Sequence, residues 1–285
     1  MKPAPFTLHA PESIGEVLGL LAGHGDEAKV LAGGQSLVPM LALRLTRFGH
    51  LVDVNRVGEL SGVTRAGGWL RVGATTRHSV LAQDTDVVAA VPLLALATAK
   101  VGHFQIRNRG TIGGALAHAD PAAEQPAVAL ALDAVMEVTS EQGRREVPAA
   151  EFFQGTWATA LGPEEVLSAV RFPVWEGRRG FAVEELVRRH GDFALVGVVC
   201  GVTLGDRGVE RAALGLFGVG ATPLRARRAE DALVAGEALE DVARLALDGL
   251  QPSDDLHASG AYRREVTGVL VRRAIGRAME EARSA

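Results

Sequence analysis

Two glycine turns constrain this chain more than any other feature of its sequence. The first reads Ala32-Gly33-Gly34-Gln35-Ser36 and the second reads Thr111-Ile112-Gly113-Gly114; each interrupts an apolar run, and neither contains the lysine of a nucleoside triphosphate loop. A backbone approaches a bulky anion closely only where no Cβ stands in the way, and such turns often need positive φ. The pair predicts a pyrophosphate held mainly by backbone amides, with glycine used for turn shape alone as the alternative.

The segments around the first turn support this prediction. Ala28–Leu31 has the composition of a buried strand, and Leu37-Val38-Pro39-Met40-Leu41 starts a new element after the turn. Hydrogen bonds to an ionised acceptor contribute roughly 1.5–3 kcal/mol each. A few aligned amides together with the Ser36 hydroxyl could therefore hold a dinucleotide without a cation.

Composition narrows the class of protein. With 285 residues and 47% hydrophobic content, the chain is long enough for about two domains with their own cores. A net charge of −4 without dense lysine or arginine runs argues against nucleic-acid binding. The sequence shows neither a signal peptide nor a membrane span, so we expect a cytoplasmic protein. The single cysteine, Cys200, allows no internal disulfide, cannot by itself ligate an iron-sulfur cluster, and is predicted to be buried.

Periodicity predicts mixed helices and strands up to a boundary near residue 177. The segment 12–22 and the segment 87–101 have helical spacing, whereas 51–54 and 70–73 resemble short strands. Asp120-Pro121 has the form of a helix start, with Asp120 as its cap, and predicts a helix through Leu132.

The second half has a different pattern. We expect a linker at 176–180, which divides the chain into domains 1–176 and 177–285. Strands are predicted at 181–187, 195–204 and 212–219, followed by three helices. The last of these helices repeats apolar residues every four positions, at Val266, Leu270, Ala274 and Ala278.

Several catalytic patterns are absent from the sequence. Gly34-Gln35-Ser36-Leu37-Val38 lacks the second glycine of a nucleophile elbow, and no Gly-x-Gly-x-x-Gly follows a strand. The eight histidines show no close ligand spacing, and His118 near Asp120 is too common a pair to indicate a metal. We therefore expect no resident metal and no hydrolytic active site.

Three strings resemble one family closely: LAGGQSLVPML at 31–41, RNRGTIGGALAHADPAAE at 107–124 and RRHGDFALVGV at 188–198. In order and spacing they are similar to the FAD-binding medium subunits of bacterial molybdenum hydroxylases, typified by the carbon monoxide dehydrogenase medium subunit. The resemblance runs from Phe6 to the Tyr262-Arg263-Arg264 segment. It implies an α+β fold: an FAD-binding domain of the vanillyl-alcohol oxidase (PCMH) type, built from two α/β subdomains, and a C-terminal domain with a three-stranded antiparallel sheet and helices.

The same resemblance implies a set of cofactor contacts. The pyrophosphate of FAD would lie on Ala32, Gly33, Gly34, Gln35, Ser36 and Leu37 and on Thr111, Ile112, Gly113, Gly114 and Ala115. Val101, Gly102 and Ala117 would lie close to the flavin, and Leu167 near the adenine. Glu124 would hydrogen-bond the sugar chain, and Asp120 belongs to the same set. No histidine or cysteine in the first turn could attach the flavin covalently.

Two positions depart from the family pattern. Many relatives have aspartate where Glu124 stands, and some distant members have a lysine beside the flavin where this chain reads Glu184-Glu185. Cationic help to a reduced flavin must then come from another group or from backbone dipoles.

The resemblance also implies an assembly. A small subunit would carry two iron-sulfur clusters and a large subunit the molybdenum cofactor, and FAD on this chain would pass electrons to an external acceptor within a dimer of heterotrimers. The alternatives are a degenerate assembly subunit without flavin and a stand-alone flavin reductase.

Overall fold

A small parallel sheet begins the computed structural model, which describes residues 2–285. Its strands are β1 (Thr7–His9), β2 (Ala28–Leu31) and β3 (His50–Asp53), in the order β1-β3-β2. Helix α1 (Ile14–His24) follows an N-cap at Ser13, whose hydroxyl accepts from the Glu16 amide. β2 is an edge strand, and only Ala28 in it is buried. The strand predicted there is confirmed, but its predicted burial is limited to Ala28, because an edge strand has a neighbour on one side only.

The second sheet is antiparallel and carries most of the first domain's core. Its five strands are ordered β4-β5-β10-β6-β7, with bounds Val63–Ala66, Trp69–Gly73, Val166–Pro173, Val135–Ser140 and Gly143–Pro148. Helix α2 (Leu37–Ala42) follows β2 in the chain and precedes β3. The remaining short elements are α3 (His78–Leu81), α4 (Thr85–Ala90), α5 (Pro92–Lys100), α6 (Phe104–Arg107), α7 (Ile112–His118), α8 (Glu124–Ala131), α9 (Ala149–Phe152), β8 (Phe153–Gly155) and β9 (Ala158–Thr159).

The C-terminal sheet is also antiparallel, in the order β11-β12-β13-β14. The strands span Arg178–Leu186, Val196–Gly205, Gly208–Phe217 and Leu224–Arg225. The three long strands were predicted, and the two-residue β14 is a fourth. Helices α10 (Arg227–Val234), α11 (Leu239–Ala246) and α12 (Gly260–Ser284) follow, and α12 packs on β11 and β12. Leu270, Ala274 and Ala278 are buried as their spacing predicts.

Cores join these layers. Side chains from α5 and α8 share one apolar cluster with the second sheet and with Val199, Ala213 and Phe217 of the C-terminal sheet. Gly215 permits this contact, since a Cβ there would lie 2.7 Å from the Ala127 carbonyl oxygen of α8. The opposite face of the C-terminal sheet, including the fully buried Cys200, packs against α10, α11 and α12. Among the helices of residues 2–285, none is long and apolar enough to cross a membrane.

Three predicted boundaries need correction. The segment 87–101 contains two helices, because Pro92 starts a new one after a break at Val91. The helix expected from Asp120 begins at Glu124, since the Asp120 carboxylate closes a turn by accepting from the Ala122 amide at 2.9 Å. The expected linker 176–180 is shorter, because β11 already starts at Arg178.

Candidate functional site

The first glycine turn presents a row of free amide donors. Between β2 and α2, the backbone N–H groups from Gly33 to Leu37 donate no hydrogen bond to any acceptor in residues 2–285. Gly34 has φ +73°, a conformation that side chains with a Cβ rarely adopt. The Ser36 hydroxyl does not cap α2. Five consecutive donors and a free hydroxyl at the end of a strand form an anion-binding concavity.

The second turn is built differently. Thr111 caps α7, and its hydroxyl accepts from the Gly114 amide at 3.1 Å. The amides of Ile112 and Gly113 donate to carbonyls of residues 76 and 74, at 3.1 Å and 2.8 Å. These amides are therefore occupied by the protein, contrary to the expectation that both turns offer rows of donors. In this turn the amide of Thr111 and its hydroxyl proton have no acceptor in residues 2–285, and Thr111 is 1% exposed.

The two turns touch, and glycine allows the contact. A Cβ on Gly33 would lie 2.4 Å from the Arg109 carbonyl oxygen and 2.8 Å from the Gly110 Cα. A Cβ on Gly113 would lie 2.4 Å from the Ala74 Cβ. Real Cβ atoms do not approach other atoms this closely, so these glycines are needed first for packing of the protein itself. This packing in turn fixes the position of the free amides from Gly33 to Leu37.

Two polar side chains tie the turns together. Asn55 Nδ2 donates to the Ala32 carbonyl at 2.8 Å, and Arg77 Nη2 donates to Asn55 Oδ1 at 2.6 Å. Arg77 Nη1 donates to the Arg109 carbonyl. Burial and the neighbouring Arg109 charge lower the pKa of the Arg77 guanidinium. Asn55 and Arg77, which together we call the turn clamp, join the Ala32 carbonyl of the first turn to the Arg109 carbonyl before the second turn.

An arginine also shapes the loop before the second turn. Arg107 Nη1 donates to the carbonyls of Val101 and Gly102, both at 2.9 Å. Gly102 has φ +48°, and a Cβ there would lie 2.9 Å from Ile106 Cδ1. This loop therefore carries the positive charge of Arg107 beside Val101 and Gly102, in addition to the neighbouring Lys100, which lies 3.8 Å from Glu185.

Buried acids lie at the start of α8. Burial, followed by the nearby Glu185 and Asp120 carboxylates, raises the pKa of Glu124, which is 6% exposed, to about 8. Burial also raises the pKa of Glu185, while the Lys100 ammonium 3.8 Å away opposes that shift. At neutral pH Glu124 is mainly protonated and can donate a hydrogen bond through its carboxyl group.

The other expected contact residues differ in how much surface they retain. Asp120 accepts from Trp157 Nε1 at 3.2 Å in addition to closing its turn. On α7, Ala115 and Ala117 are half-buried, whereas Leu167 of β10 is 5% exposed and already packed in the core. Leu167 therefore offers only a small surface to a ligand.

Comparison with known proteins decides the family. The FAD binding domain in molybdopterin dehydrogenase matches residues 4–175, and the CO dehydrogenase flavoprotein C-terminal domain matches residues 181–278. The chain belongs to this flavoprotein family. Its first domain is an FAD-binding domain of the PCMH type. The free amides from Gly33 to Leu37 fit the diphosphate that such a cofactor contains.

Relatives match this flavoprotein over its whole length. The 6-hydroxypseudooxynicotine dehydrogenase complex subunit alpha of Paenarthrobacter nicotinovorans is 40% identical, covering 99% of this chain and 97% of the relative. The carbon monoxide dehydrogenase medium chain of Hydrogenophaga pseudoflava is 38% identical and covers 98% of each. A solved structure of carbon monoxide dehydrogenase from that organism superposes with a TM-score of 0.96, at 38% identity and 99% coverage of both chains. These relatives are named as parts of larger complexes.

Sequence reasoning missed Asn55, Arg77 and Arg107. Each acts on a backbone carbonyl of a distant or neighbouring loop, and such contacts leave no spacing pattern in the sequence. The one available signal was the density of arginine before the second turn, at Arg107 and Arg109.

Proposed function

We propose that this chain binds one FAD non-covalently and relays electrons from a partner's iron-sulfur clusters to an external acceptor. The row of free amides from Gly33 to Leu37 carries the proposal, because five neighbouring N–H groups without a protein acceptor form a concavity that suits a diphosphate. In a subunit without flavin, these donors would be left to water.

The proposed contacts follow the geometry. The pyrophosphate accepts hydrogen bonds from the amides of residues 33–37 and from the hydroxyls of Ser36 and Thr111. Ala32 lies on one side of it, and Ala115 and Ala117 of α7 lie on the other. The flavin lies beside Val101 and Gly102. Glu124 and Asp120 hydrogen-bond the sugar chain, and Leu167 contacts the adenine. Neutral Glu124 donates its proton in a hydrogen bond to a sugar oxygen.

When bound, FAD supplies the electron-accepting and electron-donating chemistry. The chain's own residues hold and orient the cofactor and set its electrostatic surroundings. Arg107 holds the Val101–Gly102 carbonyls and places a positive charge at that loop, which favours a reduced, anionic cofactor. No acid-base catalyst is needed for this relay, which agrees with a site of amides, carbonyls and hydrogen-bonded carboxyls.

We infer the assembly from the family. A small iron-sulfur subunit and a large molybdenum subunit are the proposed partners, as a dimer of heterotrimers in the cytoplasm, with the boundary between this chain's own domains near residue 177. Carbon monoxide, an aromatic N-heterocycle and an aldehyde all remain candidate substrates, since oxidation takes place on another chain.

Purification of the tagged chain from its native host tests the assembly. We expect two partner chains in equal amounts, with molybdenum, iron and acid-labile sulfide in the complex and FAD as its flavin. Recovery of a flavin-containing chain without partners would favour the stand-alone reductase, and recovery of partners with a flavin-free chain would favour the degenerate subunit.

A further inference from the structure

Three histidines converge at the N-terminal sheet, away from the glycine turns. His9 ends β1, His24 ends α1 and His50 begins β3. One ring nitrogen from each residue lies within 4.8 Å of the other two, and all three side chains are half-buried. Their positions 9, 24 and 50 are too far apart in sequence to show any ligand spacing, which explains why the sequence predicted no metal site.

We propose that His9, His24 and His50 form a binding site for a divalent late transition metal ion, with Zn²⁺ as the ion best matched. Neutral imidazole is the commonest protein ligand for such ions, and three imidazoles with open positions for water are a known zinc donor set. A tetrahedral ion with bonds of 2.0–2.1 Å needs nitrogens about 3.4 Å apart. In this triad His9 Nε2 and His50 Nδ1 lie 2.9 Å apart, and one nitrogen of each histidine lies within 4.8 Å of the other two.

The existing contacts show how the ion would enter. His9 Nε2 and His50 Nδ1 lie 2.9 Å apart and share one hydrogen bond, which an ion would replace. The rings of His24 and His50 stack with centroids 3.6 Å apart and planes 10° from parallel. Both lone pairs cannot point at one ion in this stack, so at least one ring must turn about its side-chain torsions. All three rings are half-buried and belong to residues at the ends of their elements.

The surroundings favour a cation. His24 lies in the last turn of α1, where unpaired carbonyls give the helix end a partial negative charge. Asp26 and Glu27 follow directly, and Glu27 Oε2 lies 3.1 Å from the position of a Cβ on Gly49, next to His50. Neither carboxylate is within ligand distance of all three histidines, so the two acids add only to the negative surroundings of this end of the sheet.

A bound ion would connect three elements. β1 and the end of α1 would be fastened to β3, the central strand of the sheet whose edge strand β2 leads into the first glycine turn. Since metal affinity for a site formed only on folding adds to stability, Zn²⁺ should raise the unfolding temperature of the chain. The ion's proposed role is structural, separate from electron transfer.

Titration of the full, tag-free chain with Zn²⁺ after treatment with a chelator tests this proposal. We expect one Zn²⁺ per chain by calorimetry, a rise in unfolding temperature, and affinity about tenfold or more weaker in His9→Ala, His24→Ala and His50→Ala. His257→Ala is the matched control, because His257 lies far along the chain on an exposed loop and bonds to Arg188. It should bind as the unmodified chain does.

A second readout needs no variant. Co²⁺ added to the unmodified chain should give the visible absorption of a nitrogen-ligated, low-coordinate ion, and added Zn²⁺ should remove that absorption. The absence of stoichiometric Zn²⁺ binding, a Co²⁺ spectrum identical to that of the hydrated ion, or binding unchanged in all three histidine variants would overturn the site.

Discussion

At the residue scale, the glycines of this site serve packing as much as cofactor approach. A Cβ on Gly33 would meet the backbone of residues 109 and 110, whereas a Cβ on Gly19 would meet nothing within 4 Å. Alanine at Gly19 therefore shows the effect of a methyl group alone, and alanine at Gly33 shows the effect of a methyl group placed between the two turns.

Gly33→Ala should force the two turns apart and weaken FAD binding by about tenfold or more, which corresponds to about 1.4 kcal/mol. Gly19→Ala, in the exposed face of α1, should keep full flavin content and should stabilise the chain by roughly 0.5–1 kcal/mol. Flavin absorbance per protein after gel filtration measures the first effect, and urea unfolding measures the second. Equal flavin content in both variants would show that contact between the turns does not govern the cofactor site.

Glu124 predicts a pH dependence of stability. Its pKa is about 8 in the folded chain against an ordinary value of 4.5, so the unfolded chain loses this proton at lower pH than the folded chain does. The free energy of unfolding therefore falls as pH rises from about 5 to 8, by at most roughly 1.4 kcal/mol per pH unit from this group.

Glu124→Gln should remove this part of the pH dependence, so that the variant gains stability over the unmodified chain as pH rises towards 8. Urea unfolding at several pH values gives the comparison, with Glu141→Gln in an exposed turn as the control. All three proteins are compared in flavin-free form, so that a difference in cofactor binding does not enter the comparison. Parallel curves for all three proteins would contradict the buried, protonated carboxyl.

At the element scale, the turn clamp links the loops after β2, after β3 and before α7. A hydrogen bond that involves a charged group contributes about 1.5–3 kcal/mol, and Arg77 makes two that bridge different elements. Loss of the Arg77 guanidinium should let the two turns move relative to each other while the β-sheets keep their structure.

Arg77→Met should therefore lower FAD affinity by about tenfold to a hundredfold while leaving the far-ultraviolet circular dichroism unchanged. Arg65→Met, on the exposed strand β4, is the matched control and should bind FAD normally. Equilibrium titration of the flavin-free chains with FAD measures the difference. Equal affinities would mean that the turns hold their relative position without the clamp.

The elements also show how far the sequence could be read. Both turns, the long C-terminal strands and the last helix were predicted, because each follows from local glycine placement or apolar periodicity. The break at Pro92 carried a visible signal, and the early start expected at Asp120 was wrong because its carboxylate bonds within a turn. The clamp, the occupied amides of the second turn and the histidine triad depend on contacts across the chain, which no local pattern contains.

At the scale of the whole molecule, we expect substrate choice and electron delivery to lie on different chains. The relatives named for 6-hydroxypseudooxynicotine and for carbon monoxide are 40% and 38% identical to this chain over nearly its full length. Chains this similar in enzymes with such different substrates are expected to contribute little to substrate selection.

Val101→Trp should slow the reduction of the external acceptor, because the larger side chain crowds the proposed flavin end of the site. Substrate-driven reduction of the iron-sulfur clusters should stay nearly unchanged in single-turnover stopped flow. Val88→Trp, at an exposed position of α4, is the control and should change neither rate. A change in which substrates reduce the clusters would show that this chain takes part in substrate binding.

The flavin content of the purified chain tests whether the two glycine turns hold FAD. The paired turns predict about one FAD per chain, bound without a covalent link, so that acid precipitation should leave a colourless pellet and release FAD into the supernatant. A folded chain that stays colourless after incubation with excess FAD would contradict the proposed cofactor site, and a pellet that keeps its yellow colour would contradict non-covalent binding.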